Sequence, residues 1–147
     1  SRGLGDVYKR QDKILLVEDY EINMEIARFV LENEGAQVQE AWNGKEAVDL
    51  FAASEPGGYD VILMDLMMPV MGGLEAAQCI RKLEREDAKT VPIIAMTANA
   101  FADDEERSLA AGMDAHISKP LDAEKLIQVI SDICKKRKEH AKGDADI

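Results

Sequence analysis

The sequence predicts an α/β fold built around a parallel β-sheet, and three features of the chain favour it. Short apolar runs alternate with amphipathic helical patterns five times along the 147 residues. Most of these runs are continuously apolar, which is typical of strands covered by helices on both faces. Polar residues directly follow several of the runs, and in such a sheet those strand ends meet in one crevice. The regular alternation also implies right-handed crossovers between parallel strands.

The first strand is predicted over the apolar run Lys13–Val17. A helix follows over Glu21–Glu34, and Gly35 is its stop signal because glycine readily takes the left-handed conformation that ends helices. Four apolar residues at helical spacing are expected to form its inward face: Ile22, Ile26, Phe29 and Val30. Gln37–Ala41 is predicted to be a short second strand.

The second helix is predicted to begin after Asn43, which can cap it with a glutamate three residues later in capping-box position. Its apolar side is supplied by Ala47, Val48, Leu50 and Phe51. Pro56-Gly57-Gly58 then breaks the chain before the central strand, Tyr59–Met64. Gly72-Gly73 opens a third helix that is expected to reach about Glu86. Its inward residues are expected to be Ala76, Ile80 and Leu83.

The fourth strand is predicted over Pro92–Met96, and a fourth helix that Gly112 closes separates it from the fifth strand, Ala115–Ser118. Asp122 is expected to cap the last helix. Four apolar residues are expected to face inward from that helix: Leu126, Val129, Ile130 and Ile133. These patterns complete the five strand–helix pairs.

One domain is predicted over residues 12–137, since a chain of this length is enough for a single core. Residues 1–11 show no periodicity and are interpreted as a leader, a linker or a cloning remnant. Basic residues from Lys135 onward suit the carboxyl end of the last helix. Residues 138–147 are expected to form a frayed tail.

The composition argues against several classes of function. The chain carries 18 basic and 29 acidic residues, a net charge of −11, and such a surface repels nucleic acid backbones and anionic lipid. We therefore expect no direct binding of nucleic acid. No apolar run approaches membrane-spanning length, so we expect no membrane insertion by this chain. Cys79 and Cys134 lack metal-ligand spacing and are expected to be small buried hydrophobes, as in a cytoplasmic protein.

Polar side chains follow four of the predicted strands. Glu18-Asp19 comes after the first strand, Asp65 after the central one, Thr97 after the fourth and Lys119 after the fifth. Because the carboxyl ends of parallel strands face one crevice, we expect these groups to converge. Three acids, a hydroxyl and an amine suit a divalent metal and a phosphoryl group.

Each of these residues also has an ordinary structural explanation when it is taken alone. Asp65 can accept backbone N–H groups of the following turn, and Asp19 can cap a helix. Thr97 suits a strand because it is β-branched, and Lys119 can lay its stem over apolar neighbours. Only the combination favours a functional site.

Four segments resemble the signatures of response regulator receiver domains, and they occur in that family's order. They are Leu16-Val17-Glu18-Asp19, Val61-Ile62-Leu63-Met64-Asp65-Leu66-Met67-Met68-Pro69, Met96-Thr97-Ala98 and Ser118-Lys119-Pro120. The resemblance covers roughly residues 12 to 135 and is strongest to receivers of hybrid sensor histidine kinases. It implies a flavodoxin-like, doubly wound, five-stranded parallel sheet of order 2-1-3-4-5 with five helices.

The resemblance also implies the role of each site residue. Asp65 is the phosphoacceptor, and Glu18, Asp19, Asp65 and the backbone carbonyl of Met67 hold Mg²⁺ or Mn²⁺. Glu18 stands where many relatives carry aspartate, which leaves open whether it binds the metal directly or through water. Thr97 donates its hydroxyl to the phosphoryl group.

Three further expectations follow from the same resemblance. Lys119 pairs with a phosphoryl oxygen, or with Asp65 before phosphorylation, and the Lys119–Pro120 peptide is cis. His116 occupies a position where the family usually has an aromatic residue that rotates as Thr97 moves. Thr97 and His116 are therefore the expected switch residues, although His116 is equally well explained as a half-buried strand histidine.

The predicted function is acceptance of a phosphoryl group from a histidine kinase or a histidine phosphotransfer domain, in a two-component system or phosphorelay. Apart from its own phosphorylation and dephosphorylation, no separate turnover of a substrate is expected. Phosphorylation would bias an output surface at the fourth helix, fifth strand and fifth helix, and a phosphorylation-dependent dimer is left open.

Three alternatives are weaker. An aspartate-nucleophile phosphatase dependent on Mg²⁺ usually has a second acid where this chain has Met67. A flavin binder needs a phosphate-binding loop where the chain has Glu18-Asp19. A receiver-like module that acts without phosphorylation would not need Asp65, Thr97 and Lys119 together.

Overall fold

The structure, a computed structural model, describes residues 12–98 and 102–145 and is organised around a five-stranded sheet. The strands are β1 (Lys13–Val17), β2 (Gln37–Ala41), β3 (Val61–Asp65), β4 (Ile93–Thr97) and β5 (Ala115–Ser118). Neighbouring strands are parallel throughout, in the order β2-β1-β3-β4-β5. The predicted fold class and strand order are confirmed.

Six helices connect or follow the strands in the described residues, where the sequence predicts five. They are α1 (Glu21–Asn33), α2 (Gly44–Ala53), α3 (Gly73–Arg81), α4 (Glu86–Thr90), α5 (Ala102–Ala110) and α6 (Ala123–Ala145). The capping prediction for α2 is correct, because Asn43 Oδ1 accepts the backbone N–H of Glu46 at 2.9 Å. In the same way Asp122 Oδ1 accepts the backbone N–H of Glu124 at 2.9 Å, next to the start of α6.

The two faces of the sheet pack against different helices, so every central strand is covered on both sides. Alternate residues of β1 show this division, since Leu15 packs with the core under α2 and α3, and Leu16 packs with the core under α1 and α6. All five residues of β3 and of β4 are buried. This two-sided burial explains why the sequences of the central strands β1, β3 and β4 are almost continuously apolar.

The face that α1 turns to the core differs from the predicted one. Three of the residues predicted to lie inward are exposed: Ile22 (54%), Ile26 (49%) and Phe29 (69%). The buried residues are Met24, Ala27 and Leu31, with Val30 partly buried. The helix is apolar on two sides, and residues 22 and 24 lie about 200° apart around it. The side with Ala27 faces the sheet, where a small side chain permits close approach of the helix.

The extra helix α4 exists because α3 ends at Arg81, earlier than predicted, and Arg85 binds the following segment to α2. The Nη1 of Arg85 donates to the carbonyls of Phe51 at 2.9 Å and Ser54 at 3.0 Å, which lie at the carboxyl end of α2. Its Nε and Nη2 donate to Asp87 at 2.6 and 2.8 Å. Asp87 also accepts the backbone N–H of Gly57 at 3.0 Å.

The last helix continues to Ala145, through most of the segment for which the sequence predicts a frayed tail. Residues 1–11 lie outside the described residues, so the division of the chain at residues 12 and 137 stays a prediction. Within residues 12–98 and 102–145, no helix combines the length and the apolar character needed to cross a membrane.

We predict that Asp87→Asn lowers the free energy of unfolding at neutral pH by about 2 kcal/mol. Hydrogen bonds from Arg85 lower the pKa of Asp87 from 3.8 to about 2. An acid whose pKa is lowered in the folded protein stabilises it above the pKa of the unfolded chain. This contribution therefore declines as the pH falls from 3.8 towards 2. The difference in free energy of unfolding between the wild type and the variant should shrink over the same range.

Urea unfolding at several pH values between neutral and about pH 3 measures this difference. Asp49→Asn is the control, because Asp49 forms only an exposed pair with Lys45 at 2.9 Å and should change stability by less than about 1 kcal/mol. A deficit of Asp87→Asn that stays constant as the pH falls would contradict the role given to the ionised carboxylate.

Candidate functional site at the carboxyl edge of the sheet

The strand register brings the predicted site residues to one edge of the sheet. Asp65 ends β3 and pairs with Met96, and Thr97 ends β4 and pairs with Ser118. Glu18 and Lys119 are the first residues beyond β1 and β5. All four positions therefore lie at the same level, at the carboxyl ends of neighbouring strands.

Three carboxylates converge at this edge. One oxygen from each of Glu18, Asp19 and Asp65 lies within 4.8 Å of the other two. Glu18 and Asp65 are buried, at 1% and 4% exposure, whereas Asp19 is exposed. Mg²⁺ prefers oxygen ligands, typically one or two protein carboxylates together with water and phosphate oxygens. This donor set, open to solvent on the side of Asp19, fits a hydrated divalent cation.

Lys119 places its ammonium group between the two buried carboxylates. Its Nζ donates to Asp65 Oδ2 at 2.8 Å, to Glu18 Oε2 at 3.0 Å and to Glu18 Oε1 at 3.3 Å. Burial by itself would lower the pKa of Lys119. The hydrogen bonds and opposite charges of Asp65 and Glu18 outweigh burial and hold that pKa above the ordinary lysine value. Lys119 is thus a firmly protonated cation in contact with both acids.

Glu18 is surrounded by hydrogen-bond donors. Its Oε1 accepts the backbone N–H of Tyr20 and the side-chain amide of Asn23, both at 3.3 Å, in addition to Lys119. Burial raises the pKa of the Glu18 carboxyl, and the charge of Asp65 acts in the same direction, while Lys119 and Asn23 act against it. A bound cation would favour the ionised form of Glu18 in the same way that Lys119 does.

Asp65 and Thr97 complete the inner part of the site. Asp65 Oδ1 accepts the backbone N–H of Met67 at 3.2 Å, which leaves Oδ2 on Lys119. Thr97 is buried at 4% exposure, and its carbonyl accepts the backbone N–H of Lys119 at 2.8 Å. The Lys119–Pro120 peptide is cis. These contacts connect the ends of β3, β4 and β5 directly.

The loop after β3 passes close to Asp65, and Gly73 makes this possible. A Cβ on Gly73 would clash with the Asp65 carbonyl and lie 3.0 Å from Leu66 Cα. The Gly73 N–H donates to the Leu66 carbonyl at 3.0 Å, so the loop closes on itself before α3 begins. Met67, on this loop, has a side chain that is 80% exposed at the edge of the crevice.

His116 lies in β5 beside a cleft that Lys119 also borders. It is half-buried in β5, pairs with Ala95, and lines a cleft of about 420 Å³ together with Lys125, Gln128 and Val129 of α6. Thr97 pairs with Ser118, which lies two positions after His116 along β5. The switch roles of Thr97 and His116 stay predictions.

Two contacts of the site were not predicted from the sequence. The first is the pairing of Lys119 with Glu18 as well as with Asp65, and the second is the hydrogen bond from Asn23 to Glu18. The first contact had a signal in the sequence, because glutamate is one methylene longer than aspartate and its carboxylate can reach Lys119. Asn23 lies in the first turn of α1, and nothing in its chemistry assigned it to the site before the position of Glu18 was known.

The site and the fold can be compared with known proteins. The sequence profile of the response regulator receiver domain family matches residues 14–131. A hybrid signal transduction histidine kinase I of Dictyostelium discoideum is 38% identical over 126 residues, which is 84% of this chain and 7% of that protein. The chain spans 7 to 14% of the length of the first curated relatives it matches.

Two solved structures are similar over most of the chain. The receiver domain of the sensor histidine kinase PA1611 from Pseudomonas aeruginosa, crystallised with magnesium coordinated in its active site cleft, is 35% identical with a TM-score of 0.76. The match covers 84% of this chain and 98% of that one. The receiver domain of Ssk1 from Saccharomyces cerevisiae, crystallised with the histidine phosphotransfer protein Ypd1, belongs to a structure matched at 30% identity and TM-score 0.78. That match covers 86% of this chain and 91% of the other.

We predict that Lys119→Met strengthens the binding of Mg²⁺ by at least about threefold, because the ammonium competes with a metal for the Asp65 and Glu18 carboxylates. Titration calorimetry of the wild type and the variant measures this change. Lys45→Met is the matched control, since Lys45 pairs with Asp49 on the exposed surface of α2. Unchanged or weaker binding in Lys119→Met would show that the lysine does not compete with the cation.

Proposed function

Because this chain belongs to the response regulator receiver domain family, we propose that Asp65 accepts a phosphoryl group from a phosphohistidine with Mg²⁺ bound beside it. As a receiver domain, the chain functions in two-component or phosphorelay signal transduction. The observation that carries the assignment of Asp65 is its position, buried at a strand end, bonded to Lys119 at 2.8 Å and clustered with two further acids.

The chain's own residues account for most of the proposed transfer. An oxygen of Asp65 attacks the phosphorus, and the phosphorus–nitrogen bond breaks with its electron pair returning to the imidazole of the donor. Lys119 moves from the carboxylate to a phosphoryl oxygen and neutralises part of its charge. Thr97, at the adjacent strand end, donates its hydroxyl to another phosphoryl oxygen. These residues bind and orient the group, which is the main task in phosphoryl transfer.

Glu18, Asp19 and Asp65 are the carboxylates that would hold the metal, and the Met67 carbonyl is proposed as a further ligand. When bound, Mg²⁺ supplies positive charge between the acids and the incoming phosphoryl oxygens. Mn²⁺ has the same preference for oxygen ligands and is proposed as a substitute. The acidic crevice favours such a cation, because Lys119 alone cannot balance three carboxylates.

We propose that the phosphodonor is a histidine phosphotransfer domain, or the corresponding histidine of a kinase, and that it docks on α1. The exposed apolar residues Ile22, Ile26 and Phe29 support this proposal. Ile26 also lines a cleft of about 390 Å³ that Lys119 borders, so the apolar surface continues to the site. A histidine delivered to Asp65 would bring its own domain over this face, and a cognate receiver with such a partner is known for Ssk1.

The remaining expectations stand as proposals. We place the chain in the cytoplasm, without direct contact to nucleic acid, and propose that phosphorylation changes a surface formed by α5, β5 and α6. A dimer that depends on phosphorylation would use that surface. The relatives named as histidine kinases are much longer, and this chain matches 7 to 14% of their length.

We predict that the protein gains the mass of one phosphoryl group when it is incubated with Mg²⁺ and acetyl phosphate, and that Asp65→Asn does not. The reason is that asparagine lacks the nucleophilic carboxylate. Intact mass spectrometry measures the gain, which should be lost in base and retained in acid. Asp49→Asn, on the exposed surface of α2, is the control and should gain the label. An equal gain in Asp65→Asn would rule out Asp65 as the phosphoacceptor.

We predict that Phe29→Ser slows transfer from a phosphorylated histidine phosphotransfer domain by about tenfold, through the loss of buried apolar contact on docking. Transfer from acetyl phosphate should be unchanged, since this small donor does not use the face of α1. Leu109→Ser is the control, because Leu109 is also an exposed apolar residue (58%) but lies on α5. This variant should react like the wild type. Equal rates for all three proteins with the domain donor would place the docking surface elsewhere.

A further inference from the structure

We propose that Asn23 is a positioning residue that holds the Glu18 carboxylate as a ligand for the divalent cation. This inference rests on the proposed function, because it assigns a residue to the metal site of the receiver. It begins from one contact: the side-chain Nδ2 of Asn23 donates to Glu18 Oε1 at 3.3 Å. Asn23 is not one of the residues that the family resemblance assigns to this site.

Glu18 needs such a partner because two kinds of cation compete for its carboxylate. Lys119 already contacts both of its oxygens, at 3.0 and 3.3 Å. A carboxylate that turns fully onto this ammonium is paired and offers less charge to a metal. Glutamate has one more rotatable bond than aspartate, so its carboxylate can adopt more orientations. The orientation of Glu18 therefore depends on a second donor in addition to Lys119.

Asn23 is suited to this task because its amide is uncharged and because of its position in the fold. Its amide donates a hydrogen bond without adding positive charge, so the negative charge of Glu18 stays available to the metal. It lies in the first turn of α1, whose neighbour Met24 is fully buried, so the donor stands on a fixed element. The backbone N–H of Tyr20 meets the same oxygen at 3.3 Å. Both donors approach from the start of α1.

Among the described residues, the side chains that bond to Glu18 are those of Asn23 and Lys119. Removal of the Asn23 amide would leave Lys119 as the single side-chain donor and would favour the closed ion pair. Binding of Mg²⁺ would then have to break that pair first. An aspartate at position 18 would be one methylene shorter and would not reach Asn23 in the same way. The role of Asn23 is therefore tied to the presence of glutamate at this position.

The test is a double-mutant cycle on the binding of Mg²⁺, measured by titration calorimetry without any phosphodonor. We expect Asn23→Ala to weaken binding by about fivefold, the loss of one hydrogen bond to a charged group. In a Glu18→Asp background the same substitution should change binding by less than about twofold. A merely structural role of Asn23 at the start of α1 predicts equal losses in both backgrounds, and that result would overturn the proposal.

A second variant keeps the test valid if Asn23→Ala does not fold. Asn23→Leu keeps most of the side-chain volume but has no donor, so it should weaken binding as Asn23→Ala does. Wild-type affinity in Asn23→Leu would overturn the proposal. Circular dichroism of the metal-free proteins should match the wild type, and a folded Asn23→Leu with weakened binding supports the inference even if Asn23→Ala unfolds.

The outcomes also separate this inference from the proposed function. If the wild type gains no label from acetyl phosphate but the cycle shows coupling between Asn23 and Glu18, the phosphoacceptor role fails and the positioning role stands. If the wild type is labelled and the cycle shows no coupling, Asn23 has no positioning role and the assignment of Asp65 stands.

Discussion

The charge balance around Lys119 is the interaction on which the rest of the site depends. Two carboxylates, those of Glu18 and Asp65, are almost fully buried, and the ammonium of Lys119 lies within 3.0 Å of both. Burial of like charges without a cation would favour their protonation. The positive charge of Lys119 offsets part of the charge of these carboxylates, and Asp19 leaves one side of the cluster open to solvent. The ammonium of Lys119 and the proposed divalent cation therefore depend on the same carboxylates.

The sheet makes this balance possible by fixing where each charged group stands. Parallel pairing in the order β2-β1-β3-β4-β5 puts the ends of β1, β3 and β4 side by side, and β5 adds Lys119 beyond Thr97. Helices cover both faces, so the strands are held in a packed core and cannot slip in register without exposing apolar residues. Gly73 lets the next loop close against Asp65. The charged groups thus stand at the ends of packed strands or within two residues of them.

The inward face of α1 was predicted wrongly, and the pattern of its apolar residues explains why. A helix with one apolar side can be oriented from its periodicity, but α1 has apolar residues on two sides. The sequence favours the side with Ile22, Ile26 and Phe29, which are larger than the Ala27 that faces the sheet. Which side is buried depends on the shape of the sheet surface and of α6 beside it, and neither is encoded in α1. The other side stays exposed, and it is the side on which we propose that the phosphodonor docks.

The sequence alone was enough to predict the alternation of strands and helices, the α/β class and the convergence of Glu18, Asp19, Asp65, Thr97 and Lys119. It could do so because apolar periodicity and strand-end polarity are local signals, and parallel pairing brings those ends together. The order of the strands came from the family resemblance, since alternation alone permits several. The tertiary structure was needed to show that Lys119 and Asn23 both contact Glu18 and that Arg85 connects the segment of the extra helix to α2. Each of these contacts joins segments through space at distances that depend on packing, which no local pattern records.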